Sequence, residues 1–265
     1  MLVLSTLRLT ELFLIDVRFH VPSSRTLPRT IAIGDVHGCS KALRSIVEAI
    51  APEREDTLVL LGDYIDRGPD ARGVIEILVD LQQSCNLVPL RGNHEIMLSS
   101  ILRQGVATEH WLQSGGQATL ASYGGRLARI PDQHLEFFAK LLPFYETEKT
   151  IFVHASYDPL REMKDQDEQM LFWNHLLPAP PPPHCSGKKV IVGHTPQGSG
   201  MPLDLSHLVC LDTYCFGGLW LSALDLDSRE LWQTSYHGHL RRRPLQALLA
   251  WSKHLRFFNA RRSNG

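Results

Sequence analysis

The sequence predicts an α/β architecture around a parallel sheet, and three observations carry that prediction. Short apolar runs recur at TIAIG (30–34), TLVLLG (57–62) and NLVPLRG (86–92), each closing on glycine. Each is followed by an amphipathic helical pattern, which gives a βαβαβ opening. The runs lack the alternation of a half-exposed strand, so their sheet is covered on both faces.

The elements follow in order. After the first strand the spacing predicts a helix over CSKALRSIVEAI, after the second over DARGVIEILVDLQQ, and after the third over HEIMLSSILRQ. The stretch 104–145 is less legible: QGVATEHWLQSGGQATLASYGG suggests helices and a glycine-rich loop, and PDQHLEFFAKLL a further helix. Two more strands, KTIFVHAS (149–156) and KKVIVGHTP (188–196), each end in a histidine. Between them LLPAPPPPHCSG reads as a proline-rich surface insertion rather than a docking segment. HLVCLDTY, GLWLSALDL and RELWQTSY resemble a closing β-meander.

The ends read differently. The first convincing strand starts near Arg29, so residues 1–28 are expected to be a poorly ordered N-terminal arm. Arg8, Glu11, Asp16 and Arg18 interrupt its apolar stretch well short of the roughly 20 residues a membrane span needs, and no transmembrane segment or signal is expected. Residues 241–265 contain seven Arg or Lys and no acid. Leu245, Leu248, Leu249, Trp251, Leu255 and Phe258 form a stripe there, the pattern of a basic C-terminal helix or tail packed on the body.

Of the 265 residues, 43 % are hydrophobic and 21 % charged, with a formal net charge of −1. One domain of this size buries a substantial core, and no global field attracts nucleic acid or membrane. No nucleic-acid partner is expected, and specificity has to come from a site. Cys39, Cys85, Cys185, Cys210 and Cys215 are odd in number and contain no CxxC pair, which reads as reduced thiols in a cytoplasmic protein.

In covered parallel sheets, ligands gather at the carboxyl ends of the strands. LVLLGDYIDRGPD (58–70) crowds Asp63, Asp66 and Arg67 into one such end, more charge than a turn requires. Five strand ends carry Asp35 and His37, Asp63, Asn93 and His94, His154, and His194. Oxygen and imidazole donors without thiolate suit a divalent ion such as Mn, Fe or Zn. This many potential ligands are too many for one tetrahedral site but suit two ions that share a carboxylate.

Read in order, GDVHG, GDYIDRG, RGNHE, VHA and GHT resemble the calcineurin-like metallophosphoesterases, specifically the phosphoprotein phosphatase branch with its bacterial and phage members. The resemblance covers about residues 30–225. It implies a β-sandwich of two mixed sheets flanked by helices (α-β-β-α), with residues 29–240 as the catalytic domain. It further implies that Asp35, His37 and Asp63 hold one ion, that Asp63, Asn93, His154 and His194 hold the other, and that manganese is the expected metal. His94 would be the acid beside the leaving group with Asp66 as its orienting partner. Arg67 and Arg91 would clamp the phosphoryl oxygens through forked geometry.

The implied reaction is in-line attack by a hydroxide bridging the two ions, on a phosphorylated protein or a small phosphate ester. Hydrolysis of diadenosine tetraphosphate is the alternative. The sequence departs from that group, which usually carries glutamine in place of His37 and aspartate in place of Glu95. A non-catalytic metal-binding scaffold is a third reading, but such a protein would be expected to have lost a ligand or a clamp residue. Glu95 reads equally as a hydrogen-bonding partner behind the ligands or as a helix N-terminal acid. Cys39 reads as a small buried residue and Asp212 as structural. His110, His134, His175, His184, His207, His237, His239 and His254 match no motif.

Overall fold

The computed structural model describes residues 27–104 and 108–244. The expected arm therefore lies almost wholly outside the described residues, as does most of the basic segment 241–265. The order is β1 (Thr30–Ile33), α1 (Ser40–Ile50), β2 (Thr57–Leu60), α2 (Ala71–Leu81), β3 (Asn86–Pro89) and α3 (Asn93–Gln104). A helical segment follows, made of α4 (Glu109–Trp111), a π-helical turn (Leu112–Gly116) and α5 (Gln117–Ser122). Then come α6 (Asp132–Ala139), β4 (Phe144–Glu146), β5 (Thr150–Val153), α7 (Glu168–Phe172) and β6 (Lys189–Val192). The chain closes with β7 (Leu203–Asp204), β8 (Leu208–Cys210), β9 (Trp220–Asp225), β10 (Glu230–Ser235) and β11 (Leu240–Pro244).

The strands form two mixed sheets, ordered β11-β10-β9-β1-β2-β3 and β4-β5-β6-β8-β7. Within the first, β1, β2 and β3 are parallel and β9 runs antiparallel to β1. Within the second, β5, β6 and β8 are parallel. Successive side chains on a strand face opposite ways, and this alternation builds the layers. Ile31, Ile33, Leu58 and Leu60 pack with the helices, whereas Ala32 and Val59 from the same strands pack between the sheets with Phe152, Ile191, Val209 and Leu224. Ile151, Val153, Val190 and Val192 face outward onto α7. The result is the expected α-β-β-α sandwich.

Two expectations are corrected. HLVCLDTY belongs to the second sheet as β8, while β9, β10 and β11 form the meander of the first. The apolar pattern could not separate them, because Val209 of β8 and Leu224 and Leu231 of β9 and β10 line the same inter-sheet core. Residues 241–244, the start of the segment read as a basic helix or tail, extend the first sheet as β11 instead. The reason lies on β10 and β9: Arg241 bonds Gln233 and lies 3.7 Å over the Trp220 ring, and Arg242 pairs with Glu230.

Candidate metal centre

All the parallel strands that border the centre deliver residues at their carboxyl ends. Asp35 and His37 follow β1, Asp63, Asp66 and Arg67 follow β2, and Asn93, His94 and Glu95 open α3 after β3. From the second sheet His154 follows β5 and His194 follows β6. Of these, all but Arg67 are buried. Among the described residues, eight non-glycines have positive φ, and five of them are His37, Asp63, Asp66, Arg67 and His194. Such backbone costs about 1–3 kcal/mol per residue and persists only where its surroundings over-determine it. Gly92 is required at one contact, since a Cβ there would fall 2.1 Å from Asp63 Oδ1.

Three imidazoles are aimed by backbone carbonyls. His37 Nδ1 donates to Ile65 O at 2.9 Å, His154 Nδ1 to Leu61 O at 2.7 Å, and His194 Nε2 to Trp173 O at 3.1 Å. Each bond fixes a tautomer and turns the other ring nitrogen, a lone pair, inward. His37 Nε2 and His154 Nε2 then each lie 3.4 Å from a different Asp63 oxygen, with no proton between them. The inward amide atom of Asn93 faces His154 Nε2 and His194 Nδ1 at 3.1 Å and both Asp63 oxygens at 3.3 Å.

That convergence tests whether the residues fit a metal. An amide nitrogen turned inward could serve at most two of these four acceptors. A cation satisfies all of them with the amide oxygen inward, so the donor set fits divalent ions. Asp63 belongs to both compact ligand groups among the described residues, His37–Asp63–His94 and Asp63–His154–His194, as a shared carboxylate must. Asp35 is turned differently: both its oxygens accept the His194 N–H, at 3.1 and 3.0 Å, which ties the two sheets together behind the centre.

Glu95 fills both expected places, an acid in the first turn of α3 and a hydrogen-bonding partner behind the candidate ligands. Its carboxylate accepts the N–H groups of Asp63 (3.0 Å), Tyr64 (2.9 Å) and Gly92 (2.9 Å), so one side chain at the start of α3 fixes the loop carrying Asp63. His94 Nδ1 lies 2.7 Å from Asp66 Oδ2, and its Nε2 lies 3.9 Å from Asp63 Oδ2. Arg67 lies 4.7 Å over the Phe216 ring, and Phe216 also meets His37 edge-on at 4.8 Å. Arg91 is placed otherwise: its Nη2 donates to Leu141 O at 3.2 Å.

Electrostatics divides the imidazoles. Burial lowers the pKa of His37, His154 and His194, the last to about 3, which keeps them neutral donors. His94 goes the other way: burial works against its cation, but Asp63 and Asp66 outweigh it and raise its pKa. Burial likewise pushes Asp212 up to about 7 and, with the charges of Asp212 and Asp63, raises Asp35. A site whose titratable groups are driven apart in this way suits assignment of separate ligand and acid roles.

Sequence reasoning missed four residues. Trp111 and Thr119 bond Asp66, Phe216 underlies Arg67, and His175 stacks on His194 at 4.4 Å. Only the adjacency of Phe216 to the predicted strand HLVCLDTY offered a hint, and none of the four carries a periodic signal.

Comparison with known proteins agrees with this geometry. The family model described as calcineurin-like phosphoesterase matches residues 28–218. Serine/threonine-protein phosphatase 1 of Salmonella typhimurium is 36 % identical over 85 residues, covering 32 % of this chain and 37 % of that protein. A symmetrical bis(5'-nucleosyl)-tetraphosphatase of Edwardsiella ictaluri is 42 % identical over 73 residues, 27 % of this chain and 25 % of the relative. The chain thus spans about a third or less of these two relatives. The asymmetrical bis(5'-nucleosyl)-tetraphosphatase PrpE of Anoxybacillus flavithermus is 26 % identical over 217 residues, covering 72 % of this chain and 88 % of the relative. Among solved structures, a cold-active protein-tyrosine phosphatase of Shewanella shares the fold with a TM-score of 0.58 at 15 % identity, over 82 % of this chain and 80 % of that one.

Proposed function

The chain belongs to the calcineurin-like phosphoesterase family, and from that premise we propose that it is a metal-dependent phosphomonoesterase of the serine/threonine protein phosphatase type. The observation that carries this reading is the buried His94–Asp66 pair, 2.7 Å apart and directed at the ligand cluster. An alkoxide is a poor leaving group and needs a proton, which a positioned acid supplies at a gain of roughly 10²–10⁴ in rate. A phosphoanhydride departs as a stabilised phosphate and needs that proton far less.

In this reading Asp35, His37 and Asp63 hold one divalent ion and Asp63, Asn93, His154 and His194 the other, with manganese the first choice and iron or zinc the alternatives. Such ions supply Lewis acidity towards phosphoryl oxygens and lower the pKa of water towards neutrality. Arg67, exposed at the mouth and braced on Phe216, orients the phosphoryl group. Arg91, one Nη2 proton of which is held by Leu141 O, would offer its remaining guanidinium N–H groups as the second clamp. Five free cysteines support a reducing compartment, the cytoplasm, and no helix of the described residues is long and apolar enough to cross a membrane.

Hydrolysis of a dinucleoside tetraphosphate is the second reading, favoured by the breadth of the match to the PrpE relative. The deciding experiment strips the enzyme with chelator, restores manganese, and compares rates on phosphoserine peptide, phosphotyrosine peptide and diadenosine tetraphosphate. Preference for phosphoserine peptide is expected, and clear preference for the dinucleotide overturns the first reading. His94→Asn sharpens the result: it should slow phosphoserine hydrolysis by about 10²–10⁴ and an activated aryl phosphate much less.

A further inference from the structure

Asp66 has more to hold it than His94. It is fully buried, and so are Trp111 and Thr119. Oδ2 accepts from His94 Nδ1 at 2.7 Å and from Trp111 Nε1 at 2.9 Å, while Oδ1 accepts from the Thr119 hydroxyl at 2.6 Å. The Thr119 oxygen in turn accepts the Asp66 N–H at 2.8 Å, so its own proton is committed to Oδ1. The carboxyl torsion of an aspartate is broad and soft. Hydrogen bonds, not rotamer preference, therefore set the carboxylate plane here.

The same segment holds the next residue. Gly115 O accepts the Arg67 N–H at 3.1 Å, and a Cβ on Gly115 would come within 2.6 Å of that nitrogen. Asp66 and Arg67 have φ of 67° and 66°, two successive left-handed residues, and both their N–H groups are satisfied by residues 115–119. A Cβ on Gly116 would meet the Trp111 ring at 2.3 Å, so the indole is pinned beneath the turn with Nε1 on Asp66.

We propose that Trp111 and Thr119 are positioning residues: they lock the Asp66 carboxylate so that its remaining lone pair fixes the His94 ring towards the leaving group. The role rests on the reading of His94 as the general acid. Without the two donors Asp66 still pairs with His94, but the carboxylate can turn and carry the imidazole with it. The cost should then grow with the leaving group's need for a proton, and substrate binding and metal content should be unmoved.

The test uses the manganese-loaded full chain and four variants, Thr119→Val, Thr119→Ser, Trp111→Phe and His94→Asn. Values of kcat and KM are measured on phosphoserine peptide and on 4-nitrophenyl phosphate, with metal per chain and melting temperature. Thr119→Val and Trp111→Phe should each lower kcat on the peptide by about 10- to 100-fold, a part of what the acid supplies. Their loss on 4-nitrophenyl phosphate should be under about threefold, with KM and metal content unchanged and Thr119→Ser near wild type. Trp111→Phe carries the same test should Thr119→Val not fold. Equal losses on both substrates, or loss of metal, would mean a purely structural role and overturn the proposal. Leaving-group selectivity in His94→Asn but not in Thr119→Val overturns the positioning role alone. Its absence from His94→Asn overturns the acid assignment, and the positioning role with it.

Discussion

The strand ends and the helical segment Glu109–Ser122 meet at Asp66, and they are built on different rules. The strand ends deliver short polar side chains on tight, left-handed turns, and lone pairs of Asp63, His154 and His194 converge on the inward amide atom of Asn93. The helical segment delivers one indole, one hydroxyl and one carbonyl, each spent on a single loop. One region is arranged around what has to be added, the other around what is already there. On the proposed reading, loss of a metal-facing strand-end residue such as Asp63, Asn93 or His154 should therefore cost metal, whereas loss in the helical segment should cost orientation.

The largest effect is expected at the carboxylate common to both ligand groups. On the proposed reading Asp63→Asn replaces the charged donor shared by two cations with an amide that cannot serve both, while retaining its shape. Several kcal/mol of Lewis-acid stabilisation are at stake, so kcat/KM should fall by at least roughly 10³. Metal analysis should find fewer than two ions per chain. An inactive Asp63→Asn that still holds two ions would break the comparison, because a residue shared by both ligand groups would then be acting on orientation alone.

A smaller effect is expected at Gly115. Its φ of 111° disfavours any side chain, and an added Cβ would fall 2.6 Å from Arg67 N and 2.7 Å from Arg67 Cγ. Gly115→Ala should cost about 1–3 kcal/mol in stability through strain. By displacing Arg67 it should also lower kcat/KM by about tenfold while leaving metal content at the wild-type value. Denaturant unfolding and metal analysis on one preparation decide the matter. Metal loss here would erase the distinction between the two regions.

That distinction also explains what could be read in advance. The three opening strands and their helices are local patterns, and the candidate ligands sit at fixed offsets from the apolar runs, so the elements and the convergence of those side chains were both legible. The assignment of β8 and β9 to different sheets was not, because Val209 and Leu224 face one shared core and leave the same apolar trace. Residues 241–244 did not read as a strand because their partners, Glu230, Gln233 and Trp220, lie on strands earlier in the chain. Trp111 and Thr119 were invisible for a deeper reason. A buried Trp or Thr on a helix is what core packing alone would place there, and only the contact with Asp66, 45 and 53 residues away, separates the two roles.

The smallest effect on activity is expected at the other end of the same strands. Arg29, just before β1, donates to Asp56, just before β2, from its backbone N at 2.9 Å, from Nε at 3.1 Å and from Nη2 at 2.5 Å. The N–H of Glu53 adds a fourth bond at 3.0 Å. Burial works to raise the pKa of Asp56, but the Arg29 and Glu53 donors outweigh it and hold the carboxyl below its usual value. A depressed carboxylate contributes stability that is present above the unfolded-state pKa of about 3.9 and is lost as pH falls through the folded value. Asp56→Asn should therefore destabilise the fold by about 1.5–3 kcal/mol at neutral pH, the worth of hydrogen bonds to a charged group. The gap from wild type should stay flat from about pH 6 to 8 and shrink below about pH 4. With Asp56 at the amino end of the strands, kcat/KM and metal content should not change. If Asp56→Asn lowered kcat/KM or metal content while remaining folded, the two ends of these strands could not be assigned to stability and chemistry separately.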